Sequence, residues 1–183
     1  MNKQKLTNLQ EDILRLFYIK CGLKFNQNQI AKLLNVSAPA IMKALPELIE
    51  QNFIKQSQET DSKRLIIELN RDNYKIMQFK RVDNLKQLYE SGFVDFIEMQ
   101  FTGSTIILFG SYSKGEDIFN SDIDIAIIYR KEKFINLQKF EIILERKINI
   151  NYYNSMKSIH KNLKENIING IVLVGGIELN ENN

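Results

Sequence analysis

Gly110 and Ser111 follow the apolar run Thr105 to Phe109 directly, and ten residues separate Ser111 from Asp122, which stands one residue before Ile123 and two before Asp124. A glycine after such a run leaves backbone N–H groups uncovered, so phosphate oxygens can approach them and the Ser111 hydroxyl. In a strand, positions i and i+2 share a face, so the two carboxylates converge while Ile123 and Ile125 turn towards a core. Paired carboxylates of this kind form an oxygen-ligand site for Mg²⁺ held against the phosphates of a nucleoside triphosphate. Composition closes the other metal chemistries. A single histidine, His160, and a single cysteine, Cys21, leave no His cluster, no Cys-based zinc site and no internal disulfide.

These residues need strands to hold them. Residues 104–130 read as a buried strand, a Gly-Ser turn, a polar loop and a second strand, and KININYY reads as a third. The stretch FINLQKFEIILER before it reads as a helix, residues 155–169 as another, and IVLVGGIEL as a last strand interrupted by Gly175 and Gly176. Upstream, residues 6–20 form an amphipathic helix with Asn8 as the expected N-cap, and residues 26–35 form a shorter one. A third helix runs from Ser37 towards Asn52, with Pro39 in its first turn and a break expected at Pro46. FIKQSQ and KRLIIEL, separated by ETDS, read as a β-hairpin, and residues 73–100 as connector helices.

Three helices and a hairpin over residues 6–70 resemble a winged helix-turn-helix domain. The resemblance implies that the start of the third helix enters a DNA major groove through Ser37, Ala38, Pro39, Met42 and Lys43, with Lys63 and Arg64 on the wing near phosphates. The Gly-Ser, ten-residue, Asp-x-Asp pattern resembles the minimal nucleotidyltransferases of the DNA polymerase β-like superfamily over residues 93–179. Together the two resemblances imply an α+β chain: an N-terminal winged helix-turn-helix (1–72), then connector helices and a small nucleotidyltransferase-fold α/β domain with a mixed sheet (73–183).

The second resemblance implies an enzyme that moves a nucleoside monophosphate, AMP first among the candidates, from a Mg-bound triphosphate to a protein or small-molecule hydroxyl. Asp122 and Asp124 would be catalytic and hold the metal. Gly110 and Ser111 would cradle phosphates, and Lys114 would neutralise the leaving group. Relatives of this size include antitoxins that adenylylate HEPN-type toxins, so a toxin partner is one implied acceptor. One feature departs from the family pattern. Where a third carboxylate is usual, KININYY offers Asn149 and Asn151, and an amide cannot accept a proton at neutral pH. Glu141 or Glu145 could substitute, the acceptor could bring its own base, or turnover could be slow.

The same asparagines motivate a rival reading, a DNA-binding transcription regulator whose degenerate transferase domain senses nucleotide. A third reading makes the winged helix a docking surface that delivers the acceptor. Charge permits DNA binding without demanding it. Residues 1–72 carry 11 basic and 8 acidic side chains, and residues 73–183 carry 14 of each, so the whole excess of +3 lies in the first part. No apolar run is long enough to span a bilayer, and the N-terminus lacks a signal-peptide core, so a cytoplasmic protein without membrane contact, and a possible homodimer, are expected. Tyr112 is a candidate to lie against a base. His160 and Cys21 read as incidental.

Overall fold

The computed structural model describes residues 5–59 and 64–177. They fall into two compact units that divide between Lys80 and Arg81. In the first, α1 (Asn8–Ile19), α2 (Gln27–Leu33) and α3 (Ala38–Glu50) precede a hairpin of β1 (Ile54–Gln58) and β2 (Leu65–Leu69). Each helix starts at a side-chain cap. Thr7, not Asn8, caps α1: its hydroxyl accepts from Gln10 N at 3.3 Å while the Gln10 side chain accepts from Thr7 N at 2.8 Å. Asn26 and Gln29 repeat this reciprocal arrangement on α2, and Ser37 accepts from Ala40 N on α3. Helix α3 runs unbroken through Pro46. Pro46 and Met42, whose carbonyl it cannot bond, are both exposed, so water can take the missing donor's place.

The hairpin is antiparallel, with Ile54 opposite Leu69 and Gln58 opposite Leu65, and Phe25 adds an isolated bridge to Ile67. Ile13, Phe17, Ile30, Ile41, Leu45, Leu48, Ile54 and Ile67 are buried, so the inward stripes of all three helices meet the inner face of the hairpin. This is the winged helix-turn-helix arrangement that the sequence pattern predicts.

Helix α4 (Tyr74–Glu90) crosses the division between the units. The second unit continues with α5 (Phe93–Gln100), β3 (Thr105–Phe109), α6 (Gly110–Lys114), β4 (Ile123–Ile128), α7 (Gln138–Leu144), β5 (Ile148–Tyr153), a 3-10 turn (Met156–Ser158), α8 (Lys161–Ile168) and β6 (Ile171–Val174). The sheet order is β5-β4-β3-β6; β3 is antiparallel to β4 and β6, and β4 is parallel to β5, so the sheet is mixed, as expected. Strand alternation divides its core. Ile106, Leu108, Ile123, Ile125 and Ile127 pack with Phe93, Ile97 and Phe140 on one face. Ile107, Phe109, Ala126 and Ile128 pack with Met156, Ile159 and Ile167 on the other. The single helix expected over 155–169 is interrupted because Ile159 is extended and buried in that second cluster, leaving exposed His160 as the N-cap of α8.

Gly170, between α8 and β6, allows the tightest of these approaches: a β-carbon there would collide with the Leu108 carbonyl of β3. Gly170→Ala is predicted to cost about 1–3 kcal/mol, the usual range for forced overpacking, in chemical denaturation of the full chain.

Candidate functional site

The Gly-Ser turn and the Asp-x-Asp pair meet at the end of two strands. Phe109, the last residue of β3, lies opposite Asp124 of β4, so Gly110 turns away beside the Asp124 carboxylate. Its φ is +76°, and a β-carbon on it would stand 2.6 Å from Asp124 Oδ2. Glycine is therefore required twice, by the left-handed backbone and by the space. Ser111 is half-buried in the single turn of α6, and Lys114 is exposed at its end. Asp122 precedes β4 and shares the half-buried, outward face of Asp124.

The parallel pairing of β4 and β5 sets Asn149 opposite Asp124 and Asn151 opposite Ala126. Asn149 is thus the residue that reaches the carboxylates. Its amide donates to Asp122 Oδ2 at 3.0 Å and lies 3.5 Å from Asp124 Oδ1. Burial pushes the Asp124 carboxyl above the usual carboxylate range; the Asn149 hydrogen bond works against this and the charge on Asp122 adds to it. Of the glutamates before β5, Glu141 is engaged elsewhere. Glu141 accepts from Ile148 N at 3.0 Å, tying α7 to the start of β5, and Glu145 ends α7 in a left-handed conformation with φ +50°. The oxygens of Asp122 and Asp124 suit a hard cation that also binds phosphates, so the donor set fits Mg²⁺ carried by a triphosphate.

A buried polar cluster braces the loop between α6 and β4. Asp117 is fully buried, with Oδ2 3.4 Å from Arg146 and Oδ1 accepting from Asn84 of α4 at 2.7 Å. Asn84 also donates to the Tyr112 carbonyl at 3.0 Å. Sequence reasoning misses all three residues, since each alone reads as a surface polar group. Tyr112 itself is buried in the core, so it is not a base-stacking residue.

On the first unit, Pro39, Met42 and Lys43 are exposed along α3, Ala38 is half-buried, and Ser37 is exposed with its hydroxyl engaged in the helix cap. Arg64 is exposed at the start of the second wing strand, and Lys63 lies outside the described residues. A groove of about 610 Å³ between α2 and the wing is lined by Asn26, Gln27, Asn28, Gln29, Lys32, Arg64 and Leu65. Lys32 is a further cation on this side that the sequence reading omits.

Residues 94–176 match the family model described as "Polymerase beta, Nucleotidyltransferase". No curated protein matches the chain. Among solved structures, it is similar to a variant of MepR from a multidrug-resistant S. aureus clinical isolate, at 25% identity and TM-score 0.37, covering 42% of this chain and 56% of that one. It is also similar to the adhesin competence repressor AdcR from Streptococcus pyogenes, at 26% identity and TM-score 0.40, covering 55% of this chain and 71% of that one. A third is MepR, a transcription regulator of the S. aureus multidrug efflux pump MepA, at 23% identity and TM-score 0.40, covering 52% and 72%. The chain spans only a little over half of the first of these.

A nucleotidyltransferase-like domain thus follows a winged helix-turn-helix fold, and the expectation of an enzyme is corrected. Among the described residues no group of three or more His, Cys, Asp or Glu side chains is placed to hold a metal ion. The position beside the aspartates is an amide that donates to Asp122, and Glu141 is bonded to the start of β5 instead. With an amide where a proton-accepting carboxylate is expected, transfer of a nucleoside monophosphate, and with it an antitoxin acting on a HEPN-type toxin, is not carried forward. No helix among the described residues is long and apolar enough to cross a membrane.

The raised Asp124 has a consequence for stability. The native state holds its proton more tightly than the unfolded chain, so ionising Asp124 costs stability as pH rises through the native value, and the cost vanishes below the unfolded value of about 4. Asp124→Asn is predicted to melt higher than the parent at pH 7, with the gap closing as pH falls towards about 4 in thermal scans. Equal melting temperatures at pH 7 would contradict this assignment.

Proposed function

We propose that the protein is a DNA-binding transcription regulator whose nucleotidyltransferase-like domain senses a Mg-bound nucleoside triphosphate, with ATP the first to test. The observation that carries this reading is Asn149. Its amide sits against Asp122 and Asp124, which keeps two oxygen donors for a cation but supplies no group to take a proton from an acceptor hydroxyl. Asp122 and Asp124 would hold Mg²⁺, whose charge would offset that of the phosphates. Gly110 opens the backbone for phosphate approach, the Ser111 hydroxyl donates, and exposed Lys114 adds a positive charge.

The DNA half is supported by the exposed face of α3 and the cations around the wing. Met42 and Ala38 suit thymine methyl groups, and Ser37 and Lys43 are short and long polar contacts for base edges or phosphates. Lys32 and Arg64, in the groove between α2 and β2, are placed for phosphates, with Lys63 next to Arg64 in the sequence. A homodimer would set two α3 helices against half-sites about 34–36 Å apart.

Selection of DNA from a randomised pool by the full chain, followed by fluorescence anisotropy across a salt series with and without Mg-ATP, tests the reading. Lys32→Ala and Arg64→Ala are each expected to weaken binding to all sequences and to reduce the salt slope by about one. Asp122→Ala with Asp124→Ala is expected to remove the response to Mg-ATP. Failure to retain any DNA at low salt would overturn the reading.

A further inference from the structure

The buried cluster behind the Gly-Ser turn has a position that phosphate binding alone does not require. Asn84 lies on α4, four residues beyond Lys80, where the chain divides. It is buried, and its amide donates both to the Tyr112 carbonyl in the middle of α6, at 3.0 Å, and to Asp117 Oδ1, at 2.7 Å. The Tyr112 hydroxyl completes the link, 3.4 Å from the Asn84 carbonyl. The other Asp117 oxygen faces Arg146, and Arg146 donates at 3.0 Å to the Glu145 carbonyl, shortly before the strand that carries Asn149. The α6 turn, the loop after it and the approach to β5 are therefore all tied to one side chain of α4 or its immediate partner.

Buried hydrogen bonds of this kind have no water to replace them, so displacing the turn must either move Asn84 or leave polar groups unpaired. A ligand on Gly110 and Ser111 acts two residues from Tyr112. We infer that Asn84 is the positioning residue through which occupancy of the phosphate-binding turn reaches α4. Because α4 continues N-terminally into the first unit, the same helix carries the change into that unit. The inference rests on the nucleotide-sensing reading above and names the residue that makes the sensing felt. It requires two arrangements of the turn that nucleotide favours unequally.

The test uses the full chain and Asn84→Leu, which is similar in size and removes both donated bonds while leaving Asp117 beside Arg146. Three quantities are measured: affinity for Mg-ATP, affinity for the selected DNA without nucleotide, and the ratio of DNA affinities with and without Mg-ATP. The parent ratio is expected to depart from one by about tenfold, within the usual range of coupling between sites. In Asn84→Leu both separate affinities should persist and the ratio should fall to one. A parent ratio of one overturns the nucleotide-sensing reading and this inference with it. A parent that responds and a variant that responds equally overturns the inference alone.

Hydrogen exchange of the unaltered protein gives a second readout, independent of whether the variant folds or binds Mg-ATP. Residues 81–90 should change protection when Mg-ATP binds. Unchanged exchange there, with DNA affinity shifting, would overturn the role of Asn84.

Discussion

The carboxylate of Asp124 occupies the space that a side chain on residue 110 would need. That one steric constraint organises the second unit. It favours glycine at 110, as does the left-handed backbone there, which turns the chain sharply from β3 into α6. It works because Phe109 and Asp124 are cross-strand partners, a register fixed by the alternation of Ile106 and Leu108 against Ile107 and Phe109 on the two faces of β3. The two-sided core thus sets the register, and the register sets a glycine turn against a carboxylate. The carboxylate is raised in pKa first of all by its own burial.

Around that point the two aspartates meet a side chain of the neighbouring strand. The parallel pairing of β4 with β5 delivers a side chain to the aspartates at position 149, and what it delivers is an amide. A carboxylate there would add a charge and a proton acceptor; the asparagine adds a donor, which eases the repulsion between Asp122 and Asp124 and gives up the base. On the proposed reading, binding and transfer make different demands, and this residue serves only the first. The buried Asn84, Asp117 and Arg146 then hold the turn from behind, tying it to α4, which continues into the winged-helix unit.

Much of this is visible in the sequence because its signals are short-range. The Gly-Ser turn, the Asp-x-Asp pair and the strand before them depend on spacings of a few residues. Where neighbours compete, local pattern cannot decide: Thr7 and Asn8 are both good caps, and only the reciprocal bond with Gln10 selects Thr7. The choice between Asn149 and Asn151 needs strand register, because they lie opposite Asp124 and Ala126 respectively. The interruption at Ile159 needs knowledge of which face of the sheet that residue fills. Asn84 and Asp117 are 33 residues apart and Arg146 a further 29, so nothing in a linear reading joins them. The correction of the transferase expectation has the same origin. The transferase pattern is local and present, while the missing base is a property of how two strands pair.

The central claim is that this site holds a nucleotide without transferring it, and calorimetric titration of Mg-ATP into the full chain, with analysis of the recovered nucleotide, tests it most directly. The account predicts a saturable heat that disappears in the protein carrying both Asp122→Ala and Asp124→Ala, and ATP recovered intact after prolonged incubation. Absence of heat, or release of pyrophosphate that depends on the two aspartates, would contradict it.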